Sequence, residues 1–236
     1  MFRSKKAVKT ATAIIVVAGS GTRMGSTQNK QFIMLGRMPV LAHAIKKFQD
    51  SDRIDSIIIV TKAESIPLVN DLIREFGFTK VTDVVAGGKM RKDSVNAGLR
   101  LVENGKVVAI HDGARPFVST QLIDELVSAA YEFGAAAPGV IPKDTVKTVS
   151  PDNSVAETPD RQTLRLIQTP QVFFSDDLKL AYIRADEAGF VGTDDCSVAE
   201  NMGIAIHIVN GEYTNIKVTT PDDIPIAEAI CEFLKQ

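Results

Sequence analysis

Short β-branched runs alternate with amphipathic stretches through the first half of the chain, and this alternation restricts the fold more than any other feature. Thr12–Val17 (TAIIVV) is a β-branched run that ends in Ala-Gly-Ser-Gly. Pro39–Phe48 reads as a helix, with Pro39 tolerated in a first turn. Ile57–Thr61 (IIIVT) is a second buried strand. Ser65–Phe76 places Ile66, Val69, Ile73 and Phe76 at the helical period, and Gly77 ends it. Val81–Ala86 is a third strand, followed by Gly87-Gly88. Ser94–Val102 is helical, and Val107–Ile110 is a fourth strand that runs into His111-Asp112-Gly113. Strands separated by helices predict βαβ units, and so an α/β fold with a mainly parallel sheet. Ligands of such sheets bind beyond the carboxyl ends of the strands. Three loops after strands are loaded with Gly and polar residues: Ala18–Lys30, Gly87–Ser94 and His111–Pro116.

The chain has 236 residues, enough for one large domain or one domain with a small appendage. Two cysteines, Cys196 and Cys231, and three histidines, His43, His111 and His207, show no zinc-ligand spacing and exclude a disulfide framework. That cysteine usage fits a reducing cytoplasm. A net charge of -2 argues against a protein whose whole surface binds nucleic acid, while leaving room for a local basic pocket. No apolar run reaches the 18 or so residues of a membrane span. Arg3, Lys5, Lys6 and Lys9 before Ala11–Ala18 resemble a signal peptide. The apolar run is short and leads straight into a glycine turn carrying Arg23, so a buried first strand after a basic tail is the expectation.

One segment departs from the alternation. Lys143–Val149 and Ser154–Thr158 read as strands flanking Ser150-Pro151-Asp152-Asn153, a turn. Both are polar, and a lone hairpin of this kind is barely stable in water. It is expected to lean on its own domain or on a second subunit. The chain ends in a helix over Pro221–Leu234.

The loop Ala18-Gly19-Ser20-Gly21-Thr22-Arg23-Met24 begins like a dinucleotide fingerprint, but Met24 stands where the third glycine belongs. No Gly-Lys-Ser/Thr closes it, so it is not a Walker A loop either. What remains is a glycine turn whose amides can approach an anion, with Arg23 and Lys30 beside it; cations beside exposed amides suit a polyphosphate. The alternative is a tight turn with solvated charges. Asp112, at the end of a strand, can hold magnesium directly or through water, or can simply accept turn N–H bonds. His111 reads as structural, and Arg115 could equally serve the site or form a buried ion pair within the loop. Gly87–Ser94 opens a helix and lets a flat base approach, with Ser94 as a hydrogen-bond partner or an N-cap. Thr193-Asp194-Asp195 reads as a helix start with capping aspartates. Asn215–Thr219 reads as a strand carrying Lys217. There is no G-x-S-x-G elbow and no H-E-x-x-H.

Together these blocks resemble the 2-C-methyl-D-erythritol 4-phosphate cytidylyltransferases of the non-mevalonate isoprenoid pathway. The matching segments are AGSGTRM (18–24), NKQF (29–32), VAGGKMRKDSV (85–95), HDGARPF (111–117), PKDTVK (142–147), DRQTL (160–164), TPQVF (169–173), GTDD (192–195) and NIKVTTPDD (215–223). They run in order from about Ala13 to Ile230. The resemblance implies one nucleotidyltransferase domain over 1–236, Rossmann-like, with helices on both faces of the sheet. It also implies a β-arm at about 143–158 that embraces the partner of a homodimer. The implied reaction joins CTP to the methylerythritol phosphate with magnesium and releases pyrophosphate. Carried over, Arg23 and Lys30 stabilise the transition state, and Arg161 and Lys217 position the acceptor phosphate. Thr145, Asp112 and Thr193 surround the acceptor. Gly88 and Ser94 lie by the cytosine, and Ala18, Gly19, Gly21 and Gly113 belong to the nucleotide-binding set. Two positions depart from the family pattern: Asn29 replaces a usual Pro, and Val16-Val17 precede Ala18-Gly19 where Pro-Ala is usual.

The chemistry agrees. A phosphate monoester is mostly a dianion at pH 7 and needs no general base, so alignment and charge stabilisation suffice. A ribitol 5-phosphate cytidylyltransferase is the nearest rival, and DRQTL and HDGARP favour the erythritol enzyme. A nicotinamide dehydrogenase would need a glycine at Met24 and an acid after the second strand, where Thr61-Lys62 stands. A non-catalytic nucleotide-binding regulator would be expected to lose Arg23, Lys30, Arg161 or Lys217, and all are present.

Overall fold

Ile14 and Ile15 are consecutive, both fully buried, and they point into different hydrophobic clusters. A strand apolar on both faces belongs in the middle of a sheet covered on both sides. The computed structural model describes residues 9–19 and 30–234, Lys30 by its backbone alone. Its strands are β1 (Ala11–Val16), β2 (Met34–Leu35), β3 (Met38–Pro39), β4 (Ile54–Thr61), β5 (Val81–Ala86) and β6 (Val107–Asp112), then β7 (Ala135–Val140), β8 (Thr148–Val149), β9 (Val155–Glu157), β10 (Leu166–Ile167), β11 (Gln171–Phe174) and β12 (His207–Asn210). The helices are α1 (Val40–Asp50), α2 (Ile66–Phe76), α3 (Arg91–Leu99), α4 (Thr120–Phe133), α5 (Ser175–Glu187), α6 (Asp195–Asn201) and α7 (Asp223–Phe233).

The main sheet runs β5-β4-β1-β6-β11-β7-β10, and β12 also pairs with β7. β4, β1, β6 and β5 are mutually parallel where they touch, and β12 is parallel to β7. β10 and β11 run antiparallel and use one edge of β7 in two stretches. α1, α2 and α4 cover the face carrying Ile15, Ile57 and Ala109. α3, α5 and α6 cover the face carrying Ile14, Ile58 and Ile110. Each of these fully buried isoleucines contributes about 1.5–3 kcal/mol relative to exposure. A one-residue slip would exchange the two faces. α7 closes a smaller cluster of Leu35, Val40, Phe117, Val218, Ala227 and Cys231. No helix among the described residues is long and apolar enough to cross a membrane.

The α/β class and helices on both faces match the expectation, and the apolar run after the basic tail is indeed a central strand. Gly77 ends α2 in the left-handed conformation, φ 65°. At the unusual Val16-Val17 pair, the N–H of Val17 bonds the carbonyl of Val60 at 2.8 Å, so the pairing with β4 continues past β1.

Most element ends shift by a few residues from the sequence reading, and three segments differ in ways that bear on the site. The helix expected from Ser94 starts three residues earlier, because the Asp93 carboxylate accepts the N–H of Met90 (3.0 Å) and closes the first turn. The hairpin forms, but its strands shrink to β8 and β9. Its turn is closed by Ser150 N–H on Ser154 (2.9 Å) and Asn153 N–H on Ser150 (2.9 Å), with Asn153 at φ 66°. Both strands are exposed throughout and, among the described residues, pair only with each other, so the ladder survives only next to the turn. Thr145 therefore precedes the hairpin instead of lying on its first strand. Asn215–Thr219 is not a strand; side-chain bonds and the Val218 N–H on Ala114 (2.8 Å) hold it beside the loop after β6.

Candidate active site

Asp112 is the last residue of β6 and lies opposite Val16 on β1. Parallel pairing therefore sets it beside the loop that leaves β1. Its Oδ2 accepts from Lys217 Nζ at 2.6 Å, and its Oδ1 faces Arg91 Nε at 3.4 Å. Its side chain is 13% exposed. Burial alone would raise its pKa; Arg91 and Lys217 outweigh that and hold the carboxyl well below the usual carboxylate range. Arg91 turns its outer nitrogens to Asp195, NH1 to Oδ1 at 2.9 Å and NH2 to Oδ2 at 2.7 Å. Asp195 is fully buried and also accepts from the Tyr182 hydroxyl at 2.5 Å. Burial would lower the Arg91 pKa, and the carboxylates of Asp195 and Asp112 raise it instead.

The residues bracketing Asp112 are held by a closed set of bonds. Asp112 N–H donates to Thr169 Oγ1 (3.1 Å), and Thr169 Oγ1 lies 3.1 Å from His111 Nδ1. His111 Nε2 lies 3.0 Å from the Arg115 carbonyl. A carbonyl only accepts, so Nε2 carries the proton and Nδ1 accepts from the threonine: the ring is neutral. Burial pushes its pKa down to about 4, in keeping with that tautomer. His111 is structural, as expected from sequence. Of the two readings of Arg115, the buried ion pair is not seen among the described residues: NH1 donates to the Asn215 carbonyl (2.8 Å), and its buried Nε has no hydrogen-bond partner. Burial lowers its pKa, and Asp112 acts against that. Arg91, Lys217 and Arg115 thus surround Asp112 with three cationic side chains, while the buried Asp195 balances Arg91.

The other loop meets β1 here. A Cβ on Gly87 would lie 2.6 Å from Cβ of Ala18 and 2.5 Å from Ser94 Oγ, so only glycine lets the loops after β1 and β5 touch. Gly88 is exposed, and its N–H is bonded to Ser94 Oγ at 3.2 Å. Ser94 is buried inside α3 and donates back to the Met90 carbonyl (3.3 Å), so it is not a helix cap and its hydroxyl is spent locally. The Gly113 N–H is likewise engaged, on the Val16 carbonyl at 3.0 Å. Gly19 is exposed at the end of the β1 segment, and Thr193 is exposed on the rim of a cavity of about 70 Å³ that Arg91 and Tyr182 also line. Arg23 and Gly21 lie outside the described residues, as does the side chain of Lys30.

Thr145 and Arg161 are exposed. Arg161 NH1 donates to the Lys143 carbonyl at 3.0 Å, and Lys143 Nζ sits 4.4 Å from the centre of the Tyr213 ring. No described hydrogen bond or ion pair joins either residue to the Asp112 cluster. Asp194 caps α6 as expected, accepting from Ser197 N–H at 2.8 Å. Asp195 does not cap; it anchors Arg91. Arg91 and Asp195 were the residues sequence reasoning missed, although the surplus acid in Thr193-Asp194-Asp195 was the available signal.

Asp112 is a poor inner ligand for a metal ion, because each oxygen already faces a cation. Among the described residues no group of three His, Cys, Asp or Glu could hold one. Nor is there a ready thiol nucleophile in this cluster: burial and the neighbouring Asp194 and Asp195 push the Cys196 thiol up.

The doubly wound sheet, the meeting of two loops at Ala18 and Gly87, and the charged cluster on Asp112 define an α/β protein whose candidate site lies at the carboxyl edge of its sheet. A family model described as IspD, 2-C-methyl-D-erythritol 4-phosphate cytidylyltransferase, matches residues 11–233, and the chain belongs to that family. It is 43% identical over 219 residues to the 2-C-methyl-D-erythritol 4-phosphate cytidylyltransferase of Clostridium acetobutylicum, covering 92% of this chain and 96% of the relative. It is 45% identical over 221 residues to that of Alkaliphilus metalliredigens, covering 93% and 92%. The crystal structure of 4-diphosphocytidyl-2C-methyl-D-erythritol synthase from Anaerococcus prevotii superposes with a TM-score of 0.85 at 32% identity, covering 97% of each chain. The Thermus thermophilus cytidylyltransferase superposes at 0.77 with 28% identity, covering 94% of this chain and 99% of that one.

Proposed function

We infer that this chain is an enzyme that transfers the cytidylyl group of CTP to 2-C-methyl-D-erythritol 4-phosphate, giving 4-diphosphocytidyl-2-C-methyl-D-erythritol and pyrophosphate. The observation that carries this reading is family membership over residues 11–233. An oxygen of the acceptor phosphate attacks the α-phosphorus of CTP. The new P–O bond forms as the bond to the bridging oxygen breaks, and the electron pair leaves with pyrophosphate. No proton needs to be removed from a phosphate dianion. This agrees with a cluster in which His111 is buried, neutral and already bonded on both nitrogens.

We further propose the site roles. Arg23 and Lys30 neutralise charge that develops at the α-phosphate. Lys217 and Arg161 hold the acceptor phosphate, with Thr145, Asp112 and Thr193 around the polyol. Lys217 is the best supported of these, since Asp112 aims it at the carboxyl edge. Ala18, Gly19, Gly21, Gly88, Ser94 and Gly113 form the nucleotide side. Gly113 and Ser94 act there by shaping the backbone, because their N–H and hydroxyl are committed within the chain. Magnesium carried by the nucleotide would neutralise charge on the phosphates, and Asp112 would reach it at most through water.

The protein is proposed to be a cytoplasmic homodimer with a single domain per chain. Support comes from the hairpin: Val149 and Val155 are 60% and 59% exposed on strands that, among the described residues, pair only with each other. The arm would carry Thr145 and Arg161 to the partner's site. The test is pyrophosphate release from CTP with a panel of acceptors. Release with 2-C-methyl-D-erythritol 4-phosphate and little with ribitol 5-phosphate is the expected result; the reverse preference would overturn the substrate assignment.

A further inference from the structure

Lys217 sits on a segment with no strand partner, so something other than a ladder must fix where its ammonium points. Two anchors flank it. Val218 N–H bonds the Ala114 carbonyl at 2.8 Å on one side. On the other side lies Asn215, fully buried and polar. Its Nδ2 donates to the Thr169 carbonyl (3.0 Å) and faces Gln168 Oε1 (3.4 Å), and its own carbonyl accepts from Arg115 NH1 (2.8 Å). Its Oδ1 has no hydrogen-bond partner, so the donor half of the amide does the anchoring.

Gln168 completes the clamp. Its amide bonds both backbone groups of Glu212, donating to the carbonyl at 2.8 Å and accepting from the N–H at 3.3 Å, as a strand neighbour would. A Cβ on Gly211 would come within 2.7 Å of Gln168 Oε1, so glycine there leaves room for the crossing. The same Thr169 whose carbonyl holds Asn215 accepts the Asp112 N–H on its hydroxyl. Asp112 and Lys217, which touch at 2.6 Å, are thus set from one buried residue.

We propose that Asn215 is a positioning residue for Lys217: through its amide on Gln168 and Thr169 it sets the ammonium that holds the acceptor phosphate. This rests on the reading of Lys217 given above. Asn215 touches no substrate, and the segment it anchors serves the acceptor side of the site. Its loss should therefore be felt by one substrate and not by the other.

The test is steady-state kinetics with both substrates varied. Asn215→Ala removes two donors, and the KM for the acceptor is expected to rise about 10-fold while that for CTP stays within about twofold. Gln168→Ala opens the clamp from the other side and is expected to show the same split, which keeps the test available should Asn215→Ala fold poorly. Val127→Ala, a cavity in the buried face of α4, controls for lost stability and should leave both KM values alone. Adding Asn215→Ala to Lys217→Ala should raise the acceptor KM no further than Lys217→Ala alone. Equal changes in both KM values, or a fully additive double variant, would overturn the proposal while Lys217→Ala remains selective. If Lys217→Ala itself leaves the acceptor KM unchanged, the reading of Lys217 falls and the proposal falls with it.

Discussion

Asp195→Asn removes one charge from a fully buried carboxylate and leaves the shape nearly intact. In the native chain Asp195 receives both outer nitrogens of Arg91, at 2.9 and 2.7 Å, and the Tyr182 hydroxyl at 2.5 Å. The amide keeps one acceptor and turns a donor toward Arg91. Opposite charges about 4 Å apart attract by about 4 kcal/mol at an effective dielectric near 20. Breaking a buried pair from one side costs about 3–5 kcal/mol. Arg91 keeps a second carboxylate, Asp112 at 3.4 Å, and its side chain is 30% exposed, which places the loss near the lower end, about 3 kcal/mol. In a chain of this size that lowers the midpoint of thermal unfolding by about 6–12 °C. Tyr182→Phe removes one bond to the same carboxylate and should cost about half as much. Urea unfolding followed by circular dichroism gives both numbers, provided the slope with denaturant is unchanged. An Asp195→Asn variant within about 0.5 kcal/mol of wild type would refute the reasoning, since Arg91 would then have no need of its buried partner.

Lys30→Ala and Arg23→Ala should each lower kcat by about 10²–10³-fold, and wild-type turnover in Lys30→Ala would remove that residue from the mechanism. Mixing inactive Arg161→Ala and Lys30→Ala proteins should restore part of the activity, because a heterodimer with shared sites has one site free of both defects. No recovery, in a sample shown by mass spectrometry to contain heterodimers, rules out sharing. Excess chelator should abolish activity, and full activity there would contradict the magnesium requirement; full activity of Asp112→Asn with magnesium would contradict only the role of Asp112. His111 titrates at about 4 in the folded chain, below its ordinary 6.5, so the unfolded chain takes up the proton first as pH falls. The stability it contributes is whole above pH 6.5 and falls by about 3 kcal/mol on acidification to pH 4. Urea midpoints measured across that window should lose this slope in His111→Gln, and an unchanged slope would mean that His111 is not the titrating group.

β1, β4 and β6 were legible because each run buries both faces: Ile14 and Ile15, or Ile57 and Ile58, cannot be satisfied at an edge. Gly77 and the Ser150–Asn153 turn were legible because backbone conformation there is local. The Asp194 cap was legible for the same reason, its bond to Ser197 spanning three residues. Asp195 was misread as a second cap, because its partner Arg91 is 104 residues away in the chain. The expected strand at Asn215–Thr219 failed likewise. Its two buried residues, Asn215 and Val218, lie three apart, out of step with the two-residue alternation of a strand, and among the described residues no strand pairs with it.

Residue spacing alone therefore determined the order of elements through β6 and the location of the loops after β1, β5 and β6, while the roles of the candidate residues came from the family resemblance. Tertiary structure alone decided which charges meet. Lys217 reaches Asp112 across 105 positions, Arg91 reaches it across 21, and Thr169 holds its backbone across 57. Helix and strand periods follow from bonds and burial within a few residues, so they are written in local sequence. An ion pair in a partly buried site depends on which groups the packed sheet brings within a few ångströms and shields from water, and no local pattern encodes that distance.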